Sequence, residues 1–341
     1  MRRLVVDLAS AGTAWRVPPA ALQAIRDALG TGWEVVEVVA PAATEGDGVL
    51  GTPEAAAAAR GAEVYFGYGV PAGVAAAARA TLRWAHSGTA GVGAALRHLA
   101  DTRVILTNSA ATHAEPTADW VIASIAYFAR GLDRMREAQL QQHWARDDFT
   151  ELRVPVVEFA DVRVGVFGLG GIGSAVARRA LALGMPVAGV RRRPELGGPA
   201  GVRWVGELAD LARLAAESDC LVIAAPQTPE TAGAVDSHIL DRLPRGAVVI
   251  NVSRGQLLSE DGLLRALDSG HLRGAALDVF ATEPLPPGHR FWDHPRVLVS
   301  PHAAAVTSHF WDRETGLILE NVRRYLAGAP LLNVVDQEAG Y

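Results

Sequence analysis

Cysteine is almost missing from this 341-residue chain: Cys220, in "SDCLVIAAP", stands alone. A lone cysteine in an apolar run has no partner for an internal disulfide and reads as a small core residue. That usage fits a reducing compartment, so a cytoplasmic location is expected. No stretch approaches about 18 consecutive strongly apolar residues, which argues against a membrane span. The N-terminus, "MRRLVVDLAS", turns acidic at Asp7 before any uninterrupted apolar region forms. A first strand is expected there, not a signal peptide. An excess of positive charge is lacking too. With 32 Lys and Arg against 37 Asp and Glu the formal net charge is -5, and nothing in that balance points to a nucleic-acid partner. Internal repeats and low-complexity linkers are absent. His113, His143, His294 and His309 show no metal-ligand spacing, so no metal is expected.

What remains is an ordinary globular composition, 50% hydrophobic and 20% charged, in a chain long enough for two domains. Over the first 110 residues, "LVVDLA", "EVVEVVA", "EVYFGY", "LRWAHSG" and "VILTNS" read as strands. "PPAALQAIRDALG" and "PEAAAAARGA" read as helices with Pro at the start and Gly at the end. Strands alternating with helices imply a parallel α/β sheet. A long helix is expected over "EPTADWVIASIAYFARGLDRMREAQLQQHW"; it is apolar on most faces through Phe128 and so buried between layers. From Val162 a second α/β series runs through "VRVGVFG", "PVAGV", "CLVIAAP", "AVVINVS", "GAALDVF" and "RVLVSP", short and β-branched like buried parallel strands. A helix from "SHFWDRETGLILENVRRYLAG" follows, and the tail "APLLNVVD" is placed back against the first sheet. The expected organisation is a discontinuous domain, 1–115 plus 309–341, and a second domain over 116–308.

Gly168, Gly170 and Gly173 form G-x-G-x-x-G. Alone the pattern is weak in a chain with 35 glycines. Here an apolar strand runs into it and a helix follows, with Ile172, Val176, Ala180 and Leu183 on one face. Gly168 permits the tight turn, Gly170 lets backbone approach a pyrophosphate, and Gly173 allows close helix–strand packing. The helix N-terminus offers free N–H groups and the positive end of its dipole to phosphate. For NAD the next strand should end, about 20 residues on, with an acidic residue that accepts from the ribose 2′-OH. This chain has Arg191, Arg192 and Arg193 there. Arginine cannot accept that bond but can clamp a 2′-phosphate. NADP(H) is therefore the expected cofactor, with NAD(H) as the second choice; the alternative is a solvated basic loop of weak or dual selectivity.

Three more strand ends carry chemistry. "VVINVSRGQLL" places Arg254 after a strand, "GAALDVFATEPLP" places Asp278 at a strand end and Glu283 in the next loop, and "VLVSPHAAAVT" places His302. In open parallel sheets ligands sit at the carboxyl ends of strands, so these residues belong on the edge that carries the glycine loop.

These segments, with "GLGGIG", "PQTPETAGAVD" and "HAEPTADWVIASIAYFARGL", resemble the D-isomer-specific 2-hydroxyacid dehydrogenases. The likeness is strong from about 115 to 305 and weak in the first hundred residues. The resemblance implies two Rossmann-like or flavodoxin-like parallel-sheet domains with an interdomain cleft, and a homodimer built largely through the cofactor domain. It implies that Arg254 holds the 2-keto acid, His302 is the acid/base, and Glu283 pairs with His302. By the same likeness Gly168, Gly170, Gly171, Ile172, Gly173, Arg191, Arg192, Pro226, Thr231, Val252, Ser253, Asp278 and Ala304 line the cofactor, with Asp278 at the nicotinamide carboxamide. The loop at Gly88 and Thr89 corresponds to one whose backbone N–H groups meet the substrate carboxylate; family members often carry Gly-Val-Asp where this chain has Gly91-Val92-Gly93. Tyr68 and Gly69 border the same pocket, and His86 reads as structural. Trp120 stands where the family often has His, while Trp144 and Trp292 read as packing aromatics. Reduction of a 2-keto acid needs a hydride at C2 and a proton at its oxygen. A carboxylate beside the imidazole favours its charged form and orients the ring. Glyoxylate, hydroxypyruvate or pyruvate is the expected substrate class; a cofactor-sensing binding protein or corepressor on the same fold is the alternative.

Overall fold

In the computed structural model, which describes residues 1–41, 44–45 and 48–337, the chain forms two compact units. One comprises Met1–His113 with Val306–Tyr341, the other Ala114–Ala305.

The first unit is built on β1 (Arg2–Asp7), β2 (Trp33–Glu37), β5 (Val64–Gly67), β6 (Trp84–Ser87) and β7 (Ile105–Asn108); a small antiparallel pair, β3 (Thr44–Glu45) and β4 (Gly48–Val49), lies between β2 and β5 in the chain. The five longer strands form an all-parallel sheet in the order β2-β1-β5-β6-β7. Helix Pro19–Leu29 starts on a Pro at N1 and ends at Gly30, φ 71°. Helix Pro53–Ala58 is capped by Thr52, whose Oγ1 accepts from the Ala55 N–H. The sheet is covered on both faces by apolar side chains, with Val5, Tyr65, Ala85 and Leu106 facing one cluster and Leu4, Val6, Phe66 and Trp84 the other. That is the period of two expected of a fully buried sheet. The last helix, Phe310–Leu326, packs Ile318 and Val322 into the second cluster. The tail then returns, with Val335 N–H bonded to the Leu106 carbonyl.

The second unit carries β8 (Val164–Phe167), β9 (Val187–Val190), β10 (Val205–Gly206), β11 (Cys220–Ile223), β12 (Val248–Asn251), β13 (Gly274–Leu277) and β14 (Val297–Val299). All pair in parallel, in the order β10-β9-β8-β11-β12-β13-β14. The order reverses between β8 and β11, so the two sides of the sheet diverge above β8, where the glycine turn sits. β10, only two residues long, escaped the sequence reading because so short a strand has no periodicity to detect. Cys220 is buried in β11.

One expected element differs. The helix expected from Glu115 starts five residues earlier and spans Ala110–Ala129, with Pro116 inside its first turns. It does not run on to Trp144. Gly131, φ 69°, breaks it, and Leu132–Leu140 is a separate helix. Left-handed glycine is a common helix stop. The packing role expected of Trp144 is not seen within the chain: it is 87% exposed, and Leu140 and Leu152 are 67% and 77% exposed. Trp292 is half-exposed, with its indole N–H on the Pro286 carbonyl.

Candidate active site

The second unit brings its expected residues to the carboxyl ends of β8, β9, β11, β12 and β13 and the loop after β14. Glycine has a different reason at each position of the turn. Gly168 has φ 103°, and a Cβ there would lie 2.4 Å from the backbone of Ala225. A Cβ on Gly173 would lie 1.9 Å from the Gly168 carbonyl oxygen. The fold itself forbids side chains at both. At Gly170 it does not: φ is -83° and a Cβ would meet nothing within 4 Å. A glycine that the protein's own packing does not require fits a position closely approached by something else, as a dinucleotide pyrophosphate would. Helix Gly171–Ala182 begins immediately after, so the N–H groups of Gly171, Ile172 and Gly173 lie in its first turn. An anion is stabilised there by unpaired donors and by the helix dipole. Val176 and Ala180 are buried as expected, but Leu183 is 43% exposed because the helix ends before it.

At the end of β9, the Arg191 guanidinium is tethered, Nη1 donating to the Gly197 carbonyl at 2.8 Å, while Arg192 is exposed. Past β11, Thr231 Oγ1 donates to the Pro226 carbonyl at 2.6 Å, so these two expected contacts shape one loop. Val252 and Ser253 are buried, and Ser253 Oγ donates to the Ala225 carbonyl behind the glycine turn.

Arg254, Glu283 and His302 come together by two devices. The first is Gly255. A Cβ there would lie 1.9 Å from the Phe280 carbonyl carbon, so only glycine lets the turn after β12 press against the turn after β13. Gln256 Nε2 fastens the two turns by donating to Ala281 O at 3.0 Å. Asn251, fully buried, shapes the Arg254 turn from within: its Nδ2 donates to Arg254 O and its Oδ1 accepts from Ser253 N, both at 3.0 Å. Glu283 is thereby held next to Arg254. Its Oε1 accepts from Phe280 N at 2.9 Å and its Oε2 from His302 Nδ1 at 2.7 Å. Burial alone would raise this carboxyl's pKa. The bonds from His302 and Phe280 N–H and the charges of His302 and Arg254 outweigh it, so Glu283 sits below the usual glutamate value. The contact is therefore complete above the ordinary carboxylate range and is lost as pH falls through the lowered value. An ionised Glu283 accepts the Nδ1–H and leaves Nε2 to exchange a proton with a ligand.

The second device is Asp278. Its backbone carbonyl accepts from His302 N–H at 2.9 Å. Its Oδ1 accepts from Ser300 Oγ at 2.6 Å, Ala303 N at 2.7 Å and Ala304 N at 3.1 Å, and Oδ2 accepts from Ala304 N at 3.1 Å. The residue is only 3% exposed. The resemblance gives Asp278 and Ala304 to the cofactor; here they are bonded to each other. Asp278 grips the loop before and after His302, which has φ 53°. A non-glycine residue in that left-handed region is strained and persists only where its surroundings fix it. Ser300 and Asn251 were missed from sequence; a hydroxyl two residues before the histidine and an Asx residue closing a strand are the signals that carried them.

In the first unit, Gly88 N–H is taken by Gly67 O at 2.8 Å and Gly69 N–H by Ser87 Oγ at 3.0 Å. The following three peptides behave differently. The carbonyls of Gly88, Thr89 and Ala90 are bonded by His113 Nε2 (3.3 Å), Ser109 N–H (3.0 Å) and Asn108 Nδ2 (3.0 Å). Because a trans peptide is planar, its N–H points opposite its C=O. The N–H groups of Thr89, Ala90 and Gly91 thus face away from those partners, and they donate to no acceptor among the described residues. Thr89 Oγ1 is used internally, donating to Gly91 O at 2.6 Å. Tyr68 is 8% exposed, its hydroxyl on the Trp15 carbonyl. Trp120 is partly buried against the apolar core of the second unit.

Residues 122–304 match the family model for the D-isomer specific 2-hydroxyacid dehydrogenase, NAD binding domain. Among solved structures, a D-isomer specific 2-hydroxyacid dehydrogenase from Xanthobacter autotrophicus Py2, in complex with NADPH and MES, is 32% identical; the match covers 100% of this chain and 99% of that one, with a TM-score of 0.78. The NADPH-dependent glyoxylate/hydroxypyruvate reductase of Sinorhizobium meliloti, in complex with NADP and sulfate, is 29% identical over 100% of both chains, TM-score 0.78. A probable 2-hydroxyacid dehydrogenase from Rhizobium etli CFN 42, in complex with NADP, HEPES and L(+)-tartaric acid, is 26% identical over 100% of both, TM-score 0.79.

Asp278→Asn puts two donor hydrogens among three existing donors. It is expected to lower the turnover number about tenfold or more with the fold retained, since general acid catalysis depends on placement. Steady-state kinetics beside a circular dichroism melt would show this, and an unaltered turnover number would remove Asp278 from the support of His302.

Proposed function

The chain belongs to the D-isomer specific 2-hydroxyacid dehydrogenase family, and from that membership we propose that it reduces a small 2-keto acid to the 2-hydroxy acid with NADPH. The Glu283–His302 contact at 2.7 Å carries this reading, because it leaves one imidazole nitrogen able to deliver a proton. NADPH supplies the hydride to C2. His302 Nε2 gives its proton to the carbonyl oxygen, which becomes the hydroxyl, and Glu283 stabilises the imidazolium before transfer. Arg254 pairs with the substrate carboxylate and polarises the carbonyl. The outward N–H groups from Thr89 to Gly91 are proposed as further carboxylate donors, so this loop serves through backbone and not through side chains. In the oxidative direction His302 is the base. Glyoxylate, hydroxypyruvate and pyruvate are the first candidates; the similarity to the S. meliloti reductase supports the first two.

The NADP(H) preference is supported by Arg191 and Arg192 in place of an acidic residue at the end of β9, and by the NADP and NADPH complexes of the similar structures. A homodimer through the second unit is what the family resemblance implies, and the exposed side chains Leu140, Trp144 and Leu152 are proposed as contacts of its surface. No helix among the described residues is long and apolar enough to cross a membrane.

Assay of NADPH oxidation across a panel of 2-keto acids should find turnover, and His302→Ala should cut it about 100-fold or more, as loss of a general acid does. Binding of NADPH with no acid reduced would instead favour the cofactor-sensing protein. Arg191→Asp combined with Arg192→Ala is expected to shift the ratio of kcat/KM for NADPH over NADH down by about tenfold or more, the scale of a lost charge-assisted contact; an unmoved ratio removes these arginines from cofactor selection. Trp144→Asp should yield monomers in sedimentation velocity if these side chains form the dimer surface, and an unchanged sedimentation coefficient would count against it.

A further inference from the structure

The first unit contains a buried charged cluster that the proposed chemistry does not use. His86, in β6, and Glu314, on the last helix, have side chains that are both 0% exposed. His86 Nε2 meets Glu314 Oε1 at 2.9 Å, and its Nδ1 lies 2.8 Å from Thr107 Oγ1, which also accepts from Trp84 Nε1 at 2.9 Å. Ser109 Oγ donates to the same Glu314 Oε1 at 2.8 Å. Glu314 Oε2 has no hydrogen-bond partner among the described residues. Burial pushes a carboxyl's pKa up, but the bond and charge of His86, with Ser109 and His113, overcome this and hold Glu314 below its usual value. Carrying a charge into a dry interior with one oxygen unsatisfied is a poor way to gain stability. A group of this kind is better explained by what its geometry fixes.

What it fixes is Ser109. The Ser109 backbone N–H holds the Thr89 carbonyl at 3.0 Å, in the middle of the three peptides whose N–H groups turn outward. Its hydroxyl has two oxygen acceptors in reach, Glu314 Oε1 at 2.8 Å and Ser87 O at 3.0 Å, and lies 3.2 Å from His86 Nε2. One hydroxyl hydrogen serves one of them well, and the ionised carboxylate is the stronger acceptor. We propose that Glu314 is a positioning residue for substrate binding: by anchoring Ser109 from the last helix, it sets the Thr89–Ala90 peptide so that its N–H faces a carboxylate ligand. This rests on the reading of the loop as a carboxylate donor. It ties a helix far along the chain to one substrate-side peptide, and it gives the buried His86 a purpose, that of orienting the Glu314 carboxylate through Nε2.

Two variants test it. Glu314→Gln keeps the shape and removes the charge, so the bond that holds the Ser109 hydroxyl against the pull of Ser87 O is weakened. Ser109→Ala removes the link and keeps the backbone N–H, and it remains informative should the glutamate variant fold poorly. With glyoxylate and NADPH, each should raise the keto-acid KM about tenfold, the scale of a lost hydrogen bond to a charged group, while kcat stays within about twofold and the NADPH KM is unmoved. The Ki of oxamate, an unreactive carboxylate analogue, should rise in parallel. A general loosening would instead move kcat and both KM values together, and that result, like an unchanged keto-acid KM in both variants, overturns the proposal. Absence of turnover of any 2-keto acid by the unaltered protein, measured first, would bring down the proposed function itself and this inference with it.

Discussion

The backbone of one histidine is the constraint around which the second unit is arranged. His302 sits at φ 53°, a conformation uncommon for L residues. Asp278 imposes it, through one carbonyl and two carboxylate oxygens that grip residues 300 to 304. Glu283 then fixes the ring. Two carboxylates thus divide the work: a buried one holds the main chain, and a partly exposed one holds the imidazole and its proton. Neither could take the other's part. The Asp278 carboxylate is spent on the Ser300 hydroxyl and two backbone donors, and Glu283 has Arg254 at its side.

The parallel sheet explains why these residues meet. Every strand of the second unit points the same way, so every following loop emerges on one edge, and residues far apart in sequence become neighbours there. Close approach of those loops is then a matter of missing atoms. Gly168, Gly173 and Gly255 are each placed where a single Cβ would collide with backbone. Gly170 differs, since nothing in the protein occupies the space its side chain would need. The first kind of glycine holds the fold together; Gly170 leaves room for a ligand.

The same logic governs the first unit by another route. There the groups proposed to meet a ligand are peptides, and what decides their direction is which carbonyls are bonded behind them. His113, Ser109 and Asn108 each take one carbonyl of the Gly88–Ala90 stretch. A peptide whose oxygen is tied down has no freedom left for its N–H. The buried His86–Glu314 pair stands one bond further back, and it draws the chain's last helix into the definition of a loop more than 200 residues away.

Much of this was legible in the residues. The alternation of short apolar runs with Ala-rich stretches marked both parallel sheets, because buried strands and helices have distinct lengths and periods that no tertiary contact needs to supply. G-x-G-x-x-G between a strand and a helix, and arginines where an acidic residue is usual, marked a dinucleotide turn and its charge preference. Arg254, Glu283 and His302 stood out by following strands. The sequence alone did not reveal that Asp278 is bonded to the His302 loop, that Gly255 brings Arg254 to Glu283, that the helix after β7 begins at Ala110 and breaks at Gly131, or that Glu314 reaches His86. Each of these depends on which atoms from distant segments come within about 3 Å, the reach of a hydrogen bond. Local pattern sets the direction and burial of a side chain, but its partner is chosen only when the sheet has brought the loops together.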